Sequence, residues 1–406
     1  MKPELLAPAG DLEKLKIAVL YGADAVYFGG EAFSLRSGAG NFTLEEMREG
    51  VAYAHARQVK CYLTLNIYPH NEDLAPMEAY LEQIREIPID AFLVSDPGAM
   101  MVLKEKIPDA VIHLSTQANM TNYRTAQFWY AQGVRRIVTA REMSLKEIAD
   151  MRGKLPADME IEAFVHGAMC VSYSGRCLMS NYFTGRDANR GDCAQACRWK
   201  YALMEEKRPG QYFPVEEDGR GTYIFNSKDL CLLPYLAEVV ESGVDSLKIE
   251  GRMKSVHYVA SVTKAYRMAL DAYFDAPETF AAAPVWIEEL DKVSHRAYTD
   301  GFFHGGAQES AQIYGSSSYT HTSDFVGLVL DYDAAAGIAL VEQRNHMRVG
   351  EEIEIFQPKG EAWQQMLAEM KDEEGMRIEA APHPQQHVYI RMEHPIEKFA
   401  ILRRDI

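Results

Sequence analysis

Up to about residue 275, the chain repeats one pattern, in which a helix-like segment, a turn residue and a short apolar run follow one another. Clear instances are YGADAVYFGG (21–30), REIPIDAFLVSD (85–96), AQGVRRIVTAR (131–141) and ESGVDSLKIEGR (241–252). The runs PELLAPA, VKCYLTLNI, AVIHLST and MEIEAFVHG bring the number of predicted strands to eight. Eight alternating strand and helix units predict an α/β fold, a (β/α)8 TIM-like barrel, with a doubly wound open sheet as the alternative.

The pattern changes after a polar hinge near residues 276–290. Residues 320–406 alternate apolar and polar positions in five short runs, which are DFVGLVLDY, GIALVEQ, EEIEIFQ, HVYIRM and KFAILRR. A period of two predicts a small antiparallel β-barrel or sandwich. We therefore predict a catalytic barrel domain at 1–280, a helical linker at 281–319 and a small β-barrel domain at 320–406. The last domain either caps the barrel or holds a macromolecular substrate.

Charge and hydropathy limit the possible locations and partners. The formal net charge of −17 argues against a broad electrostatic surface for nucleic acid, although Arg186, Arg190, Arg198 and Lys200 are candidates for a locally basic groove. The chain has no run of about eighteen apolar residues, and its first residues, MKPELLAPAG, lack the pattern of a signal peptide. We expect a cytoplasmic protein that does not enter a membrane.

Polar side chains directly follow most predicted strands, at the end of the barrel where such folds carry their active sites. Turn chemistry explains some of them, and His166 is either a general acid or base or simply a hydrogen-bonded histidine. Arginines there suit a carboxylate or a phosphate, because the guanidinium group binds such anions through two parallel hydrogen bonds. The predicted catalytic residues are His166, Glu250 and Asp96. The predicted substrate-binding residues are Arg36, Asn66, Gln117, Asn119, Arg141, Lys248 and Arg252.

Four of the six cysteines fall between positions 162 and 201, with the spacing C-x6-C-x15-C-x3-C. A disulfide framework is not expected in a large cytoplasmic protein, so metal binding or catalysis is the better interpretation. A [4Fe–4S] cluster and zinc both suit this set, and only one short knuckle of the zinc type is present, which favours the cluster. Reduced, unligated cysteines are the remaining alternative. The candidates are Cys170, Cys177, Cys193 and Cys197, with Cys231 as a fifth, in an insertion predicted at 165–232.

The stretch EAFVHGAMCVSYSGRCLMS resembles the signature of the collagenase-like peptidases, the thirty-second family of unassigned peptidases. The words LLAPAGDLEKLKIAVLYGADAVYFGG, LSTQANMTN, ANRGDCAQACRWKY, NSKDL, SLKIEGRMKS and AYTDGFF extend the resemblance over essentially the whole chain. It implies a [4Fe–4S] cluster, prephenate as an accessory substrate, and oxygen-independent hydroxylation of a tRNA wobble uridine to 5-hydroxyuridine. Relatives act on ribosomal RNA or on a quinone precursor, the latter as a two-protein pair, so a partner subunit of the same family is a further expectation.

The resemblance leaves the fourth cluster ligand open, because members differ in whether it corresponds to Cys197 or to Cys231. Cys170, Cys177 and Cys193 are the expected ligands in either case, and we favour Cys197 because a C-x3-C pair can chelate locally. The family label also raises a collagenase-like peptidase as an alternative. The chain lacks HExxH, G-x-S-x-G and Walker motifs, so a peptidase would depend on a barrel metal or an activated thiol. A scaffold protein with a structural cluster is a third interpretation.

Overall fold

A computed structural model describes residues 2–35, 40–170, 172–173, 176–199, 202–204, 212–214, 226–305, 312–313 and 319–406. Arg36, predicted to bind substrate, lies outside these residues, and so does Lys200.

Eight parallel strands form a closed barrel. The first seven are β1 (Glu4–Pro8), β2 (Ala25–Gly29), β3 (Lys60–Leu65), β4 (Ala91–Val94), β5 (Ile112–Leu114), β6 (Val134–Val138) and β7 (Glu160–Ala168). Among the described residues, four short strands follow, β8 (Ala202–Met204), β9 (Tyr212–Pro214), β10 (Asn226–Ser227) and β11 (Asp229–Cys231). The eighth barrel strand is β12 (Ser246–Ile249). Strand β12 pairs in parallel with both β7 and β1, which closes the ring. The predicted barrel is confirmed, and the ring closure excludes the open sheet.

Helices separate the barrel strands along the chain. They are α1 (Leu12–Leu20), α2 (Leu44–His55), α3 (Asn71–Ile84), α4 (Pro97–Lys106), α5 (Tyr123–Ala131), α6 (Leu145–Arg152), α7 (Met179–Thr184), α8 (Leu236–Glu241), α9 (Val256–Asp275) and α10 (Pro284–Asp291). Local sequence signals start several of them. Helices α2 and α6 begin with reciprocal capping boxes, Thr43 with Glu46 and Ser144 with Glu147. Among the helices of the described residues, none is long and apolar enough to cross a membrane.

The C-terminal part of the chain is antiparallel. Two short strands precede it, β13 (Tyr298–Thr299) and β14 (Gln312–Ile313). The strands of this part are β15 (Ser323–Asp333), β16 (Ile338–Gln343), β17 (Met347–Arg348), β18 (Glu352–Phe356), β19 (Trp363–Met366), β20 (Met370–Lys371), β21 (Arg377–Ile378), β22 (Ala380–Ala381), β23 (His387–Arg391) and β24 (Ile401–Asp405). Eight of them form one sheet in the order β19-β18-β24-β15-β16-β23-β20-β21. All five runs with a period of two lie in this sheet, which confirms the small antiparallel domain.

The segment predicted as a helical linker, 281–319, contains one α-helix among its described residues, α10. Its strand β13 pairs with β11, and β11 pairs with the end of β7, so this segment extends the barrel sheet.

Helix α9 lies between the barrel and the small domain, and most of its side chains are buried. Arg403 of β24 is fully buried, and its guanidinium group binds Glu289 of α10 at 2.6 Å and Glu354 of β18 at 2.7 Å. On the barrel side, the Tyr21 hydroxyl lies 2.9 Å from the carbonyl oxygen of Phe356 and 3.0 Å from that of Phe399. The two domains therefore share buried polar contacts. Leu328, Phe356 and Ile401 of the small domain also belong to the apolar core of the barrel, beside a separate core within the small domain.

Candidate functional site

A cavity of about 600 Å³ opens where the barrel strands end. Ten of the predicted site residues line it, and they come from distant parts of the chain. They are Asn66, Gln117, Arg141, Lys248, Glu250, Arg252, Cys170, Cys177, Cys193 and Cys197. A closed barrel brings the carboxyl ends of all its strands to one face, which is why residues so far apart in sequence meet here.

Two other predicted residues have structural roles outside this cavity lining. Asp96 caps α4, where its Oδ1 atom accepts a hydrogen bond from the Ala99 amide at 2.9 Å. Asn119 has a left-handed backbone conformation, with φ of 52°, and its side-chain amide donates to the Gln117 carbonyl at 3.0 Å. Neither residue is among the described residues that line the cavity.

His166 does not line the cavity either. Its ring packs against Tyr258 and Tyr266 of α9 and Tyr298 of β13, at centroid distances of 5.3 to 6.0 Å. Burial lowers its pKa to about 3. Within the described part of the chain, neither ring nitrogen has a hydrogen-bond partner. The imidazole is therefore neutral at ordinary pH and turned toward helix α9.

The direction of His166 follows from an irregularity in β7. Phe164 lines the cavity, and strict alternation would turn His166 to the same side. The register between β7 and β12 shifts after the Lys248–Phe164 pair, so that His166 opposes Ile249 instead. Gly167 follows with φ of +107°, and a β-carbon there would lie 2.4 Å from the Glu250 carbonyl oxygen. Only glycine permits this close approach beside the first cysteine.

Lys248 reaches the cavity from inside the barrel. Its Nζ atom lies 2.6 Å from Oε1 of Glu162, and 4.4 Å from the centroid of the Tyr27 ring. Burial lowers the pKa of Lys248, an effect that the Glu162 carboxylate opposes. Glu162 also binds Arg136, 3.2 Å away, whose NH1 group in turn contacts Glu4. A buried chain of alternating charges thus supports the floor of the cavity.

Arg252 is fully buried, and its described contacts hold one wall of the cavity. Its NH1 group donates to the Ser34 hydroxyl at 2.8 Å and to the Thr64 hydroxyl at 3.1 Å, and its NH2 group donates to the Leu35 carbonyl. These contacts fix the segment after β2, so the structure gives Arg252 a positioning role.

Arg141 has hydrogen-bonding capacity left over. Its NH1 group donates to the Ala168 carbonyl at 2.7 Å, its guanidinium group stacks 4.1 Å from the Phe164 ring centroid, and its NH2 group lies 4.0 Å from Glu250. Among the described residues, its buried Nε atom has no hydrogen-bond partner. The guanidinium group as a whole lines the cavity, so its charge faces the space in which an anion would bind.

Four cysteines line the cavity on a stretch that we call the cysteine segment, residues 170–199. The Asn189 side chain donates to the Cys177 carbonyl at 3.2 Å, and the Ala194 amide donates to the Ser180 hydroxyl at 2.9 Å. These hydrogen bonds join the first pair of cysteines to the second pair. The Cys170 thiol is exposed, and those of Cys177, Cys193 and Cys197 are partly exposed.

The spacing of these thiols bears on the kind of metal. Sulfur ligands of one zinc ion, each at about 2.3 Å, would lie roughly 3.8 Å from one another. In the described residues, the one group of three potential ligand atoms within 4.8 Å of one another is His55, Cys61 and Asp90, at the other end of the barrel. No three of the described cavity thiols therefore lie as close together as a single zinc ion would require, whereas a cubane cluster would bind each thiolate at a different iron.

Cys231 is separated from this group. It lies in β11, opposite His166, and is 95% excluded from solvent. Burial raises the pKa of its thiol to about 12, and the Tyr266 side chain hydrogen-bonds to it. A thiol in this setting resists the ionisation that metal binding requires.

Sequence reasoning missed several residues of the cavity lining. They are Tyr27, Thr64, Phe164, Met169, Lys254 and Tyr319. Tyr27 and Phe164 stand inside apolar strand runs, where the pattern resembles ordinary core. Lys254 directly follows SLKIEGRM. Its position just beyond a charged strand end could have indicated that it lies at the cavity.

Two family models match the chain, peptidase family U32 over residues 10–313 and the peptidase family U32 C-terminal domain over residues 321–403. The chain belongs to peptidase family U32. The resemblance inferred from the cysteine stretch is thereby confirmed.

Curated U32 relatives match over most of their length. The chain is 44% identical to tRNA hydroxylation protein P1 of Bacillus subtilis, over 99% of this chain and 95% of that one. It is 37% identical to tRNA hydroxylation protein P of Escherichia coli, over 100% of this chain and 97% of that one. A protein named collagenase from Porphyromonas gingivalis is 33% identical, over 87% of this chain and 86% of that one.

Proposed function

We propose that this protein is an RNA-modifying enzyme that hydroxylates the wobble uridine of tRNA to 5-hydroxyuridine, without molecular oxygen and with prephenate as an accessory substrate. The observation that carries the proposal is the meeting of four cysteines and several cations in one cavity, in a chain that matches tRNA hydroxylation proteins over its whole length. The cavity volume suits a small organic acid or a single nucleobase.

The proposed cofactor is a [4Fe–4S] cluster held by Cys170, Cys177, Cys193 and Cys197. Support comes from their common cavity and their wide spacing, and from the burial of Cys231 away from it. When bound, such a cluster supplies one-electron chemistry that amino acid side chains lack.

The side chains of the cavity suit a dicarboxylate substrate. Arg141 offers an unpartnered Nε atom, within the described residues, beside an NH2 group that faces Glu250. One carboxylate would bind there through two parallel hydrogen bonds, and the second would lie near the ammonium group of Lys248 or Lys254. A uridine can present C5 to this cavity only when it is unpaired and turned out of the RNA stack.

Nucleoside analysis tests the proposal. The protein is purified without oxygen, incubated with unmodified tRNA, and the digested nucleosides are analysed by mass spectrometry. We expect 5-hydroxyuridine only when prephenate is present, and no product from Cys170→Ser. Absence of the product from the wild-type protein would overturn the proposal. Gelatin cleavage that survives Cys170→Ser and chelation would support the peptidase alternative instead.

A further inference from the structure

The cysteine segment exposes an unusual number of large apolar side chains. Tyr182 is 83% exposed, Phe183 is 44% exposed and Leu178 is 72% exposed, and Tyr173 and Trp199 are also exposed. Single apolar residues at a surface are ordinary, but five lie within thirty residues of this segment, and two of them, Tyr182 and Phe183, are in contact and form an aromatic patch. Such patches mark places where a partner binds.

The patch borders the cavity. Met179 and Ser180, at the start of α7, line the cavity, and Tyr182 and Phe183 follow on the same short helix. The two rings meet edge to face, with 5.2 Å between their centroids and an interplanar angle of 81°. The chain then returns to the cavity at Arg186. The aromatic pair therefore stands beside the entrance, on the element that carries the cysteines.

The charge of this region differs from that of the whole chain. Residues 170–200 contain five arginines and lysines against two aspartates, whereas the chain has a net charge of −17. Arg186 is half exposed and lies 2.7 Å from Asp192, and Arg176 is also exposed. Arg190 is paired as well, 2.8 Å from Asp73, so the excess of positive charge here is a property of the sequence of this segment. A segment rich in arginine with exposed aromatic rings is complementary to a polyanion that carries flat bases.

We propose that Tyr182 and Phe183 form a platform on which unpaired bases of an RNA loop stack while a neighbouring nucleotide occupies the cavity. The inference rests on the proposed function, because it takes the loop to be the substrate. Aromatic stacking tolerates any base sequence but requires bases that are not already stacked in a duplex. The platform thus selects loops over stems, while the arginines nearby contact the backbone.

A binding measurement tests the platform without the chemical step. Protein that retains its metal is titrated, without oxygen or prephenate, into a fluorescent anticodon stem-loop RNA and into a fluorescent RNA duplex of equal length. We expect Tyr182→Ala and Phe183→Ala each to raise the Kd for the stem-loop at least about fivefold and to leave the Kd for the duplex unchanged. Tyr182→Phe keeps the ring and should bind as the wild type does.

The chain offers a matched control. Phe128 and Trp129 of α5 are also adjacent aromatic residues that meet edge to face, at 5.5 Å and 77°, and Phe128 is 58% exposed. Phe128→Ala should leave both Kd values unchanged. Equal iron content in all variants shows that the cysteine segment is intact.

Each other outcome is decisive. An unchanged Kd for Tyr182→Ala and Phe183→Ala, or an equal loss for duplex and stem-loop, overturns the platform. The platform is also overturned if a measurement of molecular mass shows that the wild type is a dimer and that these variants are monomers with unchanged RNA affinity. The patch would then be a protein interface. If the variants lose stem-loop affinity while the wild-type protein forms no hydroxylated nucleoside, the platform stands and the proposed reaction fails.

Discussion

The Nζ atom of Lys248 lies 2.6 Å from Oε1 of Glu162 inside the barrel, and both side chains are almost completely excluded from water. Glu162 also contacts Arg136, which in addition binds Glu4 and Glu160. Loss of the Glu162 charge would therefore leave Lys248 without its carboxylate partner in a medium that solvates an ammonium group poorly, while Arg136 keeps two partners.

Glu162→Gln is therefore expected to lower the free energy of unfolding by about 3 kcal/mol. Urea denaturation at neutral pH measures the change. Asp150→Asn is the matched control, since Asp150 pairs with Lys154 at the surface, where the two side chains are 62% and 42% exposed. An exposed pair contributes less than about 1 kcal/mol. Equal effects of the two substitutions would contradict the prediction.

The fourth cluster ligand can be identified by comparing two cysteines. Cys197→Ser is expected to lose most iron and the visible absorbance, because Cys197 lines the cavity with the other three cysteines. Cys231→Ser is expected to keep both, because Cys231 is buried beside Tyr266 and does not line that cavity. Iron and sulfide analysis with absorption spectra, all without oxygen, gives the answer. Iron loss from Cys231→Ser alone would reverse the assignment.

Arg141→Ala is expected to raise the KM for prephenate by roughly 10- to 100-fold, the effect of losing hydrogen bonds to a charged group. The visible absorbance of the Arg141→Ala variant should not change, since Arg141 contacts Ala168, Phe164 and Glu250 rather than a cysteine. Arg141→Lys should restore part of the affinity, because it keeps the charge but loses the planar fork. Arg85→Ala, at an exposed position of the barrel surface, is the control. An unchanged KM for Arg141→Ala would contradict the prediction.

His166 is expected to make the fold less stable in acid. Its pKa is about 3 in the folded chain and 6.5 in its ordinary state, so between these values the unfolded chain binds a proton that the folded chain does not. Falling pH therefore favours unfolding, by about 1.4 kcal/mol for each pH unit in that window. His166→Phe keeps an aromatic ring without the titration, so its stability relative to the wild type should rise below pH 6.5.

The control for this experiment has the opposite sign. Hydrogen bonds to Asp300 and Glu238 raise the pKa of His304, so protonation of this histidine favours the folded chain. His304→Gln should lose stability relative to the wild type as the pH falls. Urea denaturation from pH 7.5 to pH 4 compares the three proteins. Parallel curves for His166→Phe and the wild type would contradict the buried, neutral imidazole.

The barrel was predictable because its signal is local and repeated. Each strand is a short apolar run after a turn residue, and the closed ring follows from eight such units. The strands β11 and β13, with three and two residues, carry too little periodicity to predict, although they complete the sheet beside β7.

The cavity was predictable only in part, because direction depends on register. The positions of Arg141 and Lys248 at predicted strand ends correctly indicated that they lie at the cavity. The same reasoning also placed His166 there, where it does not lie. The register shift between β7 and β12 turns the His166 ring toward α9, and nothing in the sequence around His166 indicates that shift. Asp96 also follows a strand, but it caps helix α4, and its Oδ1 atom already accepts a hydrogen bond from the Ala99 amide.

Because the buried Arg403 guanidinium group of the small domain binds Glu289, the barrel depends on the small domain when the chain is truncated. A fragment that stopped near residue 320 would leave Glu289 without its cation and would remove Leu328, Phe356 and Ile401 from the apolar core of which they are part. Apolar surface uncovered in this way promotes aggregation. We expect the two coding regions to be inherited together, and a barrel expressed by itself to be insoluble.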